Sequence, residues 1–257
     1  MFRLSKWYLD CVTDMGDALI LYWASIRWGP LRFHYGAALR NPESGEPAHR
    51  YSLRPGSEPS VVDTGLQWTC PRLDLSGTWG TRSAGIERTL LDGPQGMIHW
   101  HCVSPKADAN VRIGDDTVQG LGYAEHLTMT LNPWRLPFDE LWWGRFLSAA
   151  DTLIWIQWRG SMPRTWVWVD GTERQRAGVT EDQIELPEDG IVLDLRGGRA
   201  LRSGRLATTA LRPIRVLTTL IPRWRTAHET KWLTRGTLSR QDTRSTGWAV
   251  HEVVRWL

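Results

Sequence analysis

The chain has 257 residues, 41% of them hydrophobic and 23% charged, with a formal net charge of +3. These values are ordinary for a folded globular protein, and they argue against an intrinsically disordered chain. Because the net charge is small, the composition gives no indication of a strongly basic surface for binding nucleic acid. The three cysteines, Cys11, Cys70 and Cys102, are odd in number and widely spaced, so we expect no disulfide framework and a reducing compartment.

We expect a soluble, cytoplasmic protein without a transmembrane segment. The first ten residues lack the apolar core of a secretory signal. The most apolar run, Ala18–Ile26, is too short to span a bilayer and is interrupted by Ser25. The oligomeric state is left open.

Tryptophan is unusually frequent, with 17 residues against 5 tyrosines and 4 phenylalanines. Its large flat face and single N–H donor suit strands, interfaces and pockets for flat apolar ligands. For any single tryptophan, packing in a core or across strands is the simpler interpretation.

Short apolar or alternating runs punctuated by glycine and proline predict a chain made almost entirely of strands. In order, the predicted strands are Lys6–Val12, Ala18–Trp28, Leu31–Leu39, Val61–Trp68, Leu73–Thr78, Ile86–Leu91, Met97–Val103, Tyr123–Leu131, Thr152–Trp158, Thr165–Asp170, Ile191–Leu195, Ala200–Ala210, Arg223–Leu233 and Trp248–Trp256. We predict Asn41–Pro59 as mostly loop and Pro105–Asp116 as a connection with a short strand at best. Asp139–Leu147 is the best candidate for a short helix.

This spacing of strands favours an all-β, antiparallel fold of barrels or sandwiches. The clearest hairpin joins Thr152–Trp158 to Thr165–Asp170, and the first of these strands is apolar on both faces, as in a buried strand. We find no convincing sequence repeat. One large sandwich remains an alternative to two separate β domains.

The segment Gly120–Ser148 combines glycines, charged groups and tryptophans in a way that suggests a site. Gly120 and Gly122 indicate permissive backbone angles or a close approach of another backbone. On a strand, Tyr123 and Glu125 share one face while His126 points to the other. Glu125 and His126 therefore serve one pocket only if a bulge intervenes.

Several short motifs carry a resemblance to a known family. They are Gly-x-Gly-Tyr-x-Glu-His at 120–126, Trp-Gly-Arg at 143–145, Trp-Tyr-Leu-Asp at 7–10, Ile-His-Trp at 98–100 and Gly-Trp-Ala-Val-His-Glu at 247–252. Together they resemble the carotenoid 1,2-hydratase family (hydroxyneurosporene synthases), whose relatives include AttH-like proteins and cyclases such as Diels-Alderases. The family favours Asp-His-Asn where this chain has Glu125, His126 and Leu127.

The resemblance implies two lipocalin-like barrels or half-barrels packed side by side. It places the boundary near Val118, with domains of residues 1–118 and 119–257. It also implies chemistry on an apolar small molecule with no cofactor.

Glu125 is the first candidate for acid chemistry, because a carboxyl group among apolar side chains can carry a proton near neutral pH. A solvent-facing or ion-paired glutamate is the alternative. His126 and His99 are further catalytic candidates that would position water. His99 and His101 lie two apart on a predicted strand, but no ligand spacing supports a metal site.

The substrate-binding candidates are aromatic or basic groups of the same motifs and of the strands that follow them. They are Tyr123, Trp100, Trp142, Trp143, Arg145, Trp155 and Trp168. Arg145 could grip a carboxylate or enolate; an ion pair with Glu125, or stacking on a tryptophan, is equally favoured.

Two charged groups of residues are assigned to the surface. Lys231 and Glu252, on late strands, are expected to face solvent. The Arg-Gly-Gly-Arg run at 196–199 follows an acidic segment and is interpreted as a solvated hairpin rather than an RNA-binding segment.

Three functions remain in view. The first is a cofactor-independent enzyme that hydrates, isomerises or cyclises an apolar polyene, terpenoid or polyketide-like molecule in a pocket lined by tryptophan. The second is a lipocalin-type carrier with the same pocket and no chemistry. The third is a structural interaction module.

Overall fold

A computed structural model describes residues 1–206, 226–241 and 243–256. The chain divides into two compact units, Met1–Arg135 and Leu136–Leu257. The expected boundary near Val118 falls inside a continuous strand, Asp116–Met129, which pairs along its length with strands of the first unit. The division therefore lies after this strand.

The first unit is a ten-stranded antiparallel sheet. Its strands are β1 (Phe2–Val12), β2 (Ala18–Trp28), β3 (Leu31–Asn41), β4 (Ala48–Ser52), β5 (Ser60–Val62), β6 (Gly65–Cys70), β7 (Leu75–Thr81), β8 (Ile86–Gly93), β9 (Gly96–Ile113) and β10 (Asp116–Met129). They pair in the order β4-β3-β2-β1-β10-β9-β7-β6-β5, and β8 pairs with β9 beside β7.

The second unit is also a ten-stranded antiparallel sheet. Its strands are β11 (Glu140–Ser148), β12 (Thr152–Arg159), β13 (Arg164–Val169), β14 (Thr172–Arg174), β15 (Gly178–Val179), β16 (Gln183–Leu186), β17 (Ile191–Asp194), β18 (Arg199–Arg205), β19 (His228–Arg240) and β20 (Thr243–Arg255). They pair in the order β14-β13-β12-β11-β20-β19-β17-β16-β15, with β18 against β19.

The two units share one topology, strand for strand, although the sequence shows no repeat. Their glycines mark equivalent positions: a Cβ on Gly120 would lie 2.1 Å from the carbonyl oxygen of Val12, and one on Gly247 would lie 2.1 Å from that of Leu147. The registers then make Glu125 and Glu252 equivalent. The duplication could not be predicted from the sequence, because the two units have few identical side chains at equivalent positions.

Each unit has its own hydrophobic core on one face of its sheet. In the first unit the core includes Trp7, Leu9, Leu21, Trp68 and Trp79. In the second it includes Trp142, Phe146, Leu153, Trp155 and Leu193. The prediction of an all-β antiparallel fold with two sheets of barrel or half-barrel type is confirmed. In the described parts of the chain, no helix is long and apolar enough to span a membrane.

The prediction that Pro105–Asp116 only connects two strands was wrong, because β9 runs through it. The strand pairs with two partners in succession: residues 96–102 pair with β8, and residues 107–113 pair with β7. Pro105 lies at the change of partner, where the ladder with β10 is also irregular. A proline, which lacks an N–H, is tolerated at such an irregularity.

The prediction of a short helix at Asp139–Leu147 was also wrong, because Glu140–Ser148 is strand β11. It pairs with β12 on one side and β20 on the other. Trp142 and Phe146 point into the core, whereas Trp143 and Arg145 point to the opposite face. All four are buried, so burial on both faces hid the two-residue period.

Other predicted strands agree closely with the structure. β2 has the predicted bounds, and the hairpin of β12 and β13 is present, with β12 almost wholly buried. The loop predicted at Asn41–Pro59 contains β4. The predicted strands Ala200–Ala210 and Arg223–Leu233 lie in part outside the described residues; the described parts form β18 and the start of β19.

Candidate functional site

Strand β10 separates the central motif into two faces. Glu125 pairs with Tyr8 of β1, and Tyr123 pairs with Asp10, so these side chains share the face opposite the first core. His126 pairs with Trp7 and therefore lies on the core face. The bulge occurs only in the ladder with β9 and does not bring Glu125 and His126 to one side.

Glu125 is a buried carboxyl group, 6% exposed, held by two donors. The indole Nε1 of Trp100 donates to Glu125 Oε2 over 2.6 Å. The hydroxyl of Tyr123 donates to the same oxygen over 2.8 Å. Both printed hydrogen bonds are accepted by the same carboxyl oxygen.

Tyr123 lies between Glu125 and Cys102. Burial raises the pKa of the Tyr123 hydroxyl well above its usual value, and the neighbouring Cys102 and Glu125 raise it further. Burial likewise raises the pKa of the Cys102 thiol, an effect that the hydrogen bond with Tyr123 opposes. At neutral pH both groups therefore keep their protons, and Tyr123 acts as a neutral donor to Glu125.

A second carboxylate and two more tyrosine rings extend this cluster. The hydroxyl of Tyr8 donates to Asp10 Oδ2 over 3.0 Å. The ring of Tyr8 packs edge-on against Tyr123 and against Tyr22, with centroids 6.0 and 5.5 Å away. We call Tyr8, Asp10, Trp100, Tyr123 and Glu125 the carboxylate cluster. It places acids, phenols and an indole on one buried face of a sheet.

The histidine candidates lie on the other face of the sheet. His126 stacks on Trp7 with centroids 4.5 Å apart, and its Nε2 lies 2.8 Å from Ser5 Oγ and 3.9 Å from Glu58 Oε1. Partial burial lowers the pKa of His126; His101 and His99 lower it further, and Glu58 opposes the change. His126 is therefore neutral at neutral pH.

His99 belongs to the same face as His126, and its Nε2 lies 2.9 Å from Glu87 Oε1. The structure thus brings His126 and His99 together but separates both from Glu125. Among the described residues, no group of three or more His, Cys, Asp or Glu side chains is placed to hold a metal ion.

Two of the predicted binding tryptophans belong to the second core. Trp155 packs there, 6.2 Å from the ring of His251. Trp142 donates from Nε1 to Glu140 Oε2 over 2.8 Å, and the guanidinium of Arg159 lies 3.8 Å from its ring. Both contacts are those expected of packing residues.

Trp143, Arg145 and Trp168 lie on the opposite face of the second sheet. Arg145 and Trp168 are in one cross-strand row through Ile154. Arg145 is 0% exposed, and its guanidinium donates to the carbonyl oxygen of Trp248 over 2.6 Å. A guanidinium so buried can make strong charge-assisted hydrogen bonds.

The expectation that Lys231 and Glu252 face solvent was wrong. Lys231 is 1% exposed and forms an ion pair with Glu252, and its Nζ lies 5.2 Å from the ring of Trp143. Two residues along β19, Glu229 is paired with Arg202 at 2.5 Å. Burial raises the pKa of Glu229, which Arg202 partly offsets.

We call Arg145, Arg202, Glu229, Lys231 and Glu252 the charged cluster. Glu252 and Lys231 occupy the places that Glu125 and Cys102 hold in the first unit. The sequence carried one signal for this cluster: Glu229 and Lys231 are two residues apart on a predicted strand and therefore share one face.

The sequence matches no protein-family profile and no curated protein. Solved structures are similar in fold. An AttH-like protein from Nitrosomonas europaea has 11% identity and a TM-score of 0.59, over 100% of this chain and 93% of that one. Kievitone hydratase from Nectria haematococca has 9% identity and a TM-score of 0.54, over 98% and 88%. CghA, crystallised with Sch210972, has 12% identity and a TM-score of 0.57, over 98% and 88%.

Proposed function

We propose that this protein is an enzyme that moves a proton on an apolar small molecule, with Glu125 as the acid or base. The observation that carries the proposal is the buried trio of Glu125, Tyr123 and Trp100, joined by hydrogen bonds of 2.6 and 2.8 Å. Buried carboxyl groups with organised donors are more typical of catalytic sites than of packed sheets. The fold that kievitone hydratase shares with this chain supports the same class of reaction.

The substrate class follows from the chemistry of this face. Phenol and indole rings surround the carboxyl group, so an apolar polyene, terpenoid or polyketide-like molecule would be favoured over a charged one. We place the protein near the hydroxyneurosporene synthase-like hydratases and the related cyclases on the sequence motifs given above. No cofactor enters this proposal.

In the hydration version, Glu125 gives its carboxyl proton to a terminal alkene carbon. The π electrons form the new C–H bond, and a tertiary carbocation remains on the neighbouring carbon. The indole of Trp100, whose N–H edge donates to the acid, is the neighbouring ring whose π face would stabilise that cation. Water adds to the cation, and its extra proton returns to Glu125, with Tyr123 holding the carboxylate in place.

In the isomerisation or cyclisation version, the same groups hold a carbonyl rather than deliver a proton to carbon. The neutral hydroxyl of Tyr123 polarises the carbonyl oxygen, and the buried face excludes water. His126 and His99 have no part in either version, because the pleat of β10 separates them from Glu125.

The test replaces two members of the trio, Glu125 and Tyr123, by residues of nearly the same shape. Glu125→Gln should lower kcat by about 100- to 10,000-fold, and Tyr123→Phe by a smaller factor, because a positioned acid contributes that much. Candidate substrates come from native mass spectrometry of freshly purified protein, which reveals co-purified small molecules. The matched controls are Glu46→Gln and Tyr51→Phe at exposed positions, which should leave turnover unchanged.

A non-catalytic carrier is the alternative function, supported by the abundance of tryptophan. Ligand binding, followed by quenching of tryptophan fluorescence, separates the two. If Glu125→Gln binds the ligand as the wild type does and has lost turnover, the enzyme is supported. If no turnover of any bound ligand is detected with the wild-type protein, the carrier is supported instead.

A further inference from the structure

Three arginines form a row across adjacent strands at one end of the first sheet. Arg3 of β1 pairs with Arg27 of β2, and Arg27 pairs with Arg32 of β3. All three side chains are exposed. Directly opposed residues have Cβ atoms about 5 Å apart, and like charges in such pairs destabilise a sheet.

Among the described residues, no carboxylate forms an ion pair with this row. In the parts of the chain that the structure describes, none of the three guanidinium groups takes part in an ion pair or a hydrogen bond. Three other arginines of this unit are paired: Arg40 with Asp116, Arg82 with Asp108 and Arg112 with Asp74. Unpaired like charges in a row lower the stability of the sheet. An anionic partner that covers the row would neutralise these charges and so explain why they are there.

Exposed apolar side chains lie at the same end of the sheet. Trp28 and Leu31 flank the β2–β3 turn in the next row of the ladder, so they point to the opposite face from the arginines; Trp28 is half-buried and Leu31 is 47% exposed. The ring of Trp134 lies 5.4 Å from that of Trp28 and is 42% exposed. Arg135, also exposed and without an ion pair in the described residues, follows Trp134.

Tryptophan and leucine beside unpaired arginines are the groups that occupy a membrane interface. Indole rings settle at the level of the lipid headgroups, and arginines near an anionic leaflet add to the attraction. A folded protein surface would offer carboxylates one at a time, whereas a leaflet of anionic lipid presents negative charge to the whole row at once.

We propose that this end of the first sheet, defined by Arg3, Arg27, Arg32, Leu31 and Trp134, docks on an anionic lipid surface. Docking would bring the protein to the phase in which apolar molecules collect. The proposal does not depend on the chemistry of Glu125, because a carrier would gain equally from it.

Co-sedimentation of the full chain with phosphatidylcholine vesicles, with and without phosphatidylserine, tests the proposal. We expect binding only to the vesicles with phosphatidylserine, and its loss in 1 M salt, where the screening length falls to about 3 Å. The triple variant R3Q/R27Q/R32Q should weaken binding by about 100-fold, since each arginine near the surface contributes roughly five-fold. Trp134→Ala should weaken binding as well, through lost insertion.

The matched control is R54Q/R72Q/R244Q, which removes the same charge from exposed arginines elsewhere and should bind as the wild type. The variant of the row should also unfold at the same or a higher urea concentration, because it relieves like-charge contacts. An equal loss of vesicle binding in both triple variants would overturn the proposal. A clear loss of stability in R3Q/R27Q/R32Q would overturn it as well. So would inhibition by soluble glycerophosphoserine at millimolar concentration, which would indicate a site for a free phosphate.

Discussion

At the scale of single residues, the two units place different chemistry at equivalent positions. Glu125 in the first unit accepts hydrogen bonds from an indole and a phenol, whereas Glu252 in the second is paired with a lysine. The first arrangement gives a carboxyl group an indole and a phenol as hydrogen-bond donors and suits proton transfer. The second fixes opposite charges against each other and suits structure or the binding of a charged group.

The buried ion pair of Lys231 and Glu252 gives a stability prediction. Lys231→Met should lower the free energy of unfolding by about 3–5 kcal/mol, because it removes one partner of a buried pair. Adding Glu252→Leu should recover a large part of the loss, since the carboxylate that lost its lysine is then removed as well. Urea denaturation measures both effects.

An exposed pair provides the control for that comparison. Arg176 lies 2.7 Å from Glu188, with its side chain 82% exposed. Arg176→Met should change the unfolding free energy by about 1 kcal/mol or less, because solvent screens such pairs. Similar losses of unfolding free energy for Lys231→Met and Arg176→Met would show that the buried pair contributes no more to stability than the exposed pair.

At the scale of elements, close approach of backbones explains why glycines begin the central motif. A Cβ on Gly120 would lie 2.1 Å from the carbonyl oxygen of Val12. One on Gly122 would lie 2.6 Å from the Cβ of Ala109. The sequence expectation of a close approach is therefore confirmed at both positions, and it accounts for the tight pairing of β10 with its neighbours.

Gly120→Ala tests this contact. Because the added methyl group meets backbone rather than a flexible side chain, the strands must shift, and we expect a loss of about 1–3 kcal/mol in unfolding free energy. Gly93→Ala, at the end of β8, is the matched control, since nothing lies within 4 Å of its added Cβ. Chemical denaturation measures the unfolding free energy of both variants. Equal stability of the two would argue against a close approach at Gly120.

At the scale of the whole molecule, histidines with lowered pKa values make the stability of the fold depend on pH. The pKa of His251 is lowered from its ordinary 6.5 to about 4, chiefly by burial and further by Lys231. Its Nε2 lies 3.0 Å from Thr234 Oγ1, and its ring stacks on Trp232. His126, in the other unit, has a lowered pKa as well.

The sign of the pH dependence follows from that lowered pKa. As pH falls below 6.5, His251 becomes protonated in the unfolded chain. In the folded protein, His251 becomes protonated only near its lowered pKa of about 4. Stability is therefore full above pH 6.5 and is lost as pH falls toward 4, by roughly 3 kcal/mol for this group. Urea midpoints between pH 7 and 4 measure it. His251→Gln should flatten part of this slope; an unchanged slope would remove His251 as its source.

The sequence by itself determined the antiparallel all-β class, most strand positions and the separation of Glu125 from His126. These depend on local chemistry: glycine and proline break strands, and side chains alternate along a pleat. Only the tertiary structure decided that β9 continues past Pro105, that Glu140–Ser148 is a strand, and that Lys231 is buried. A strand covered on both faces loses the alternation that would reveal it, and burial of a charge depends on partners from distant strands.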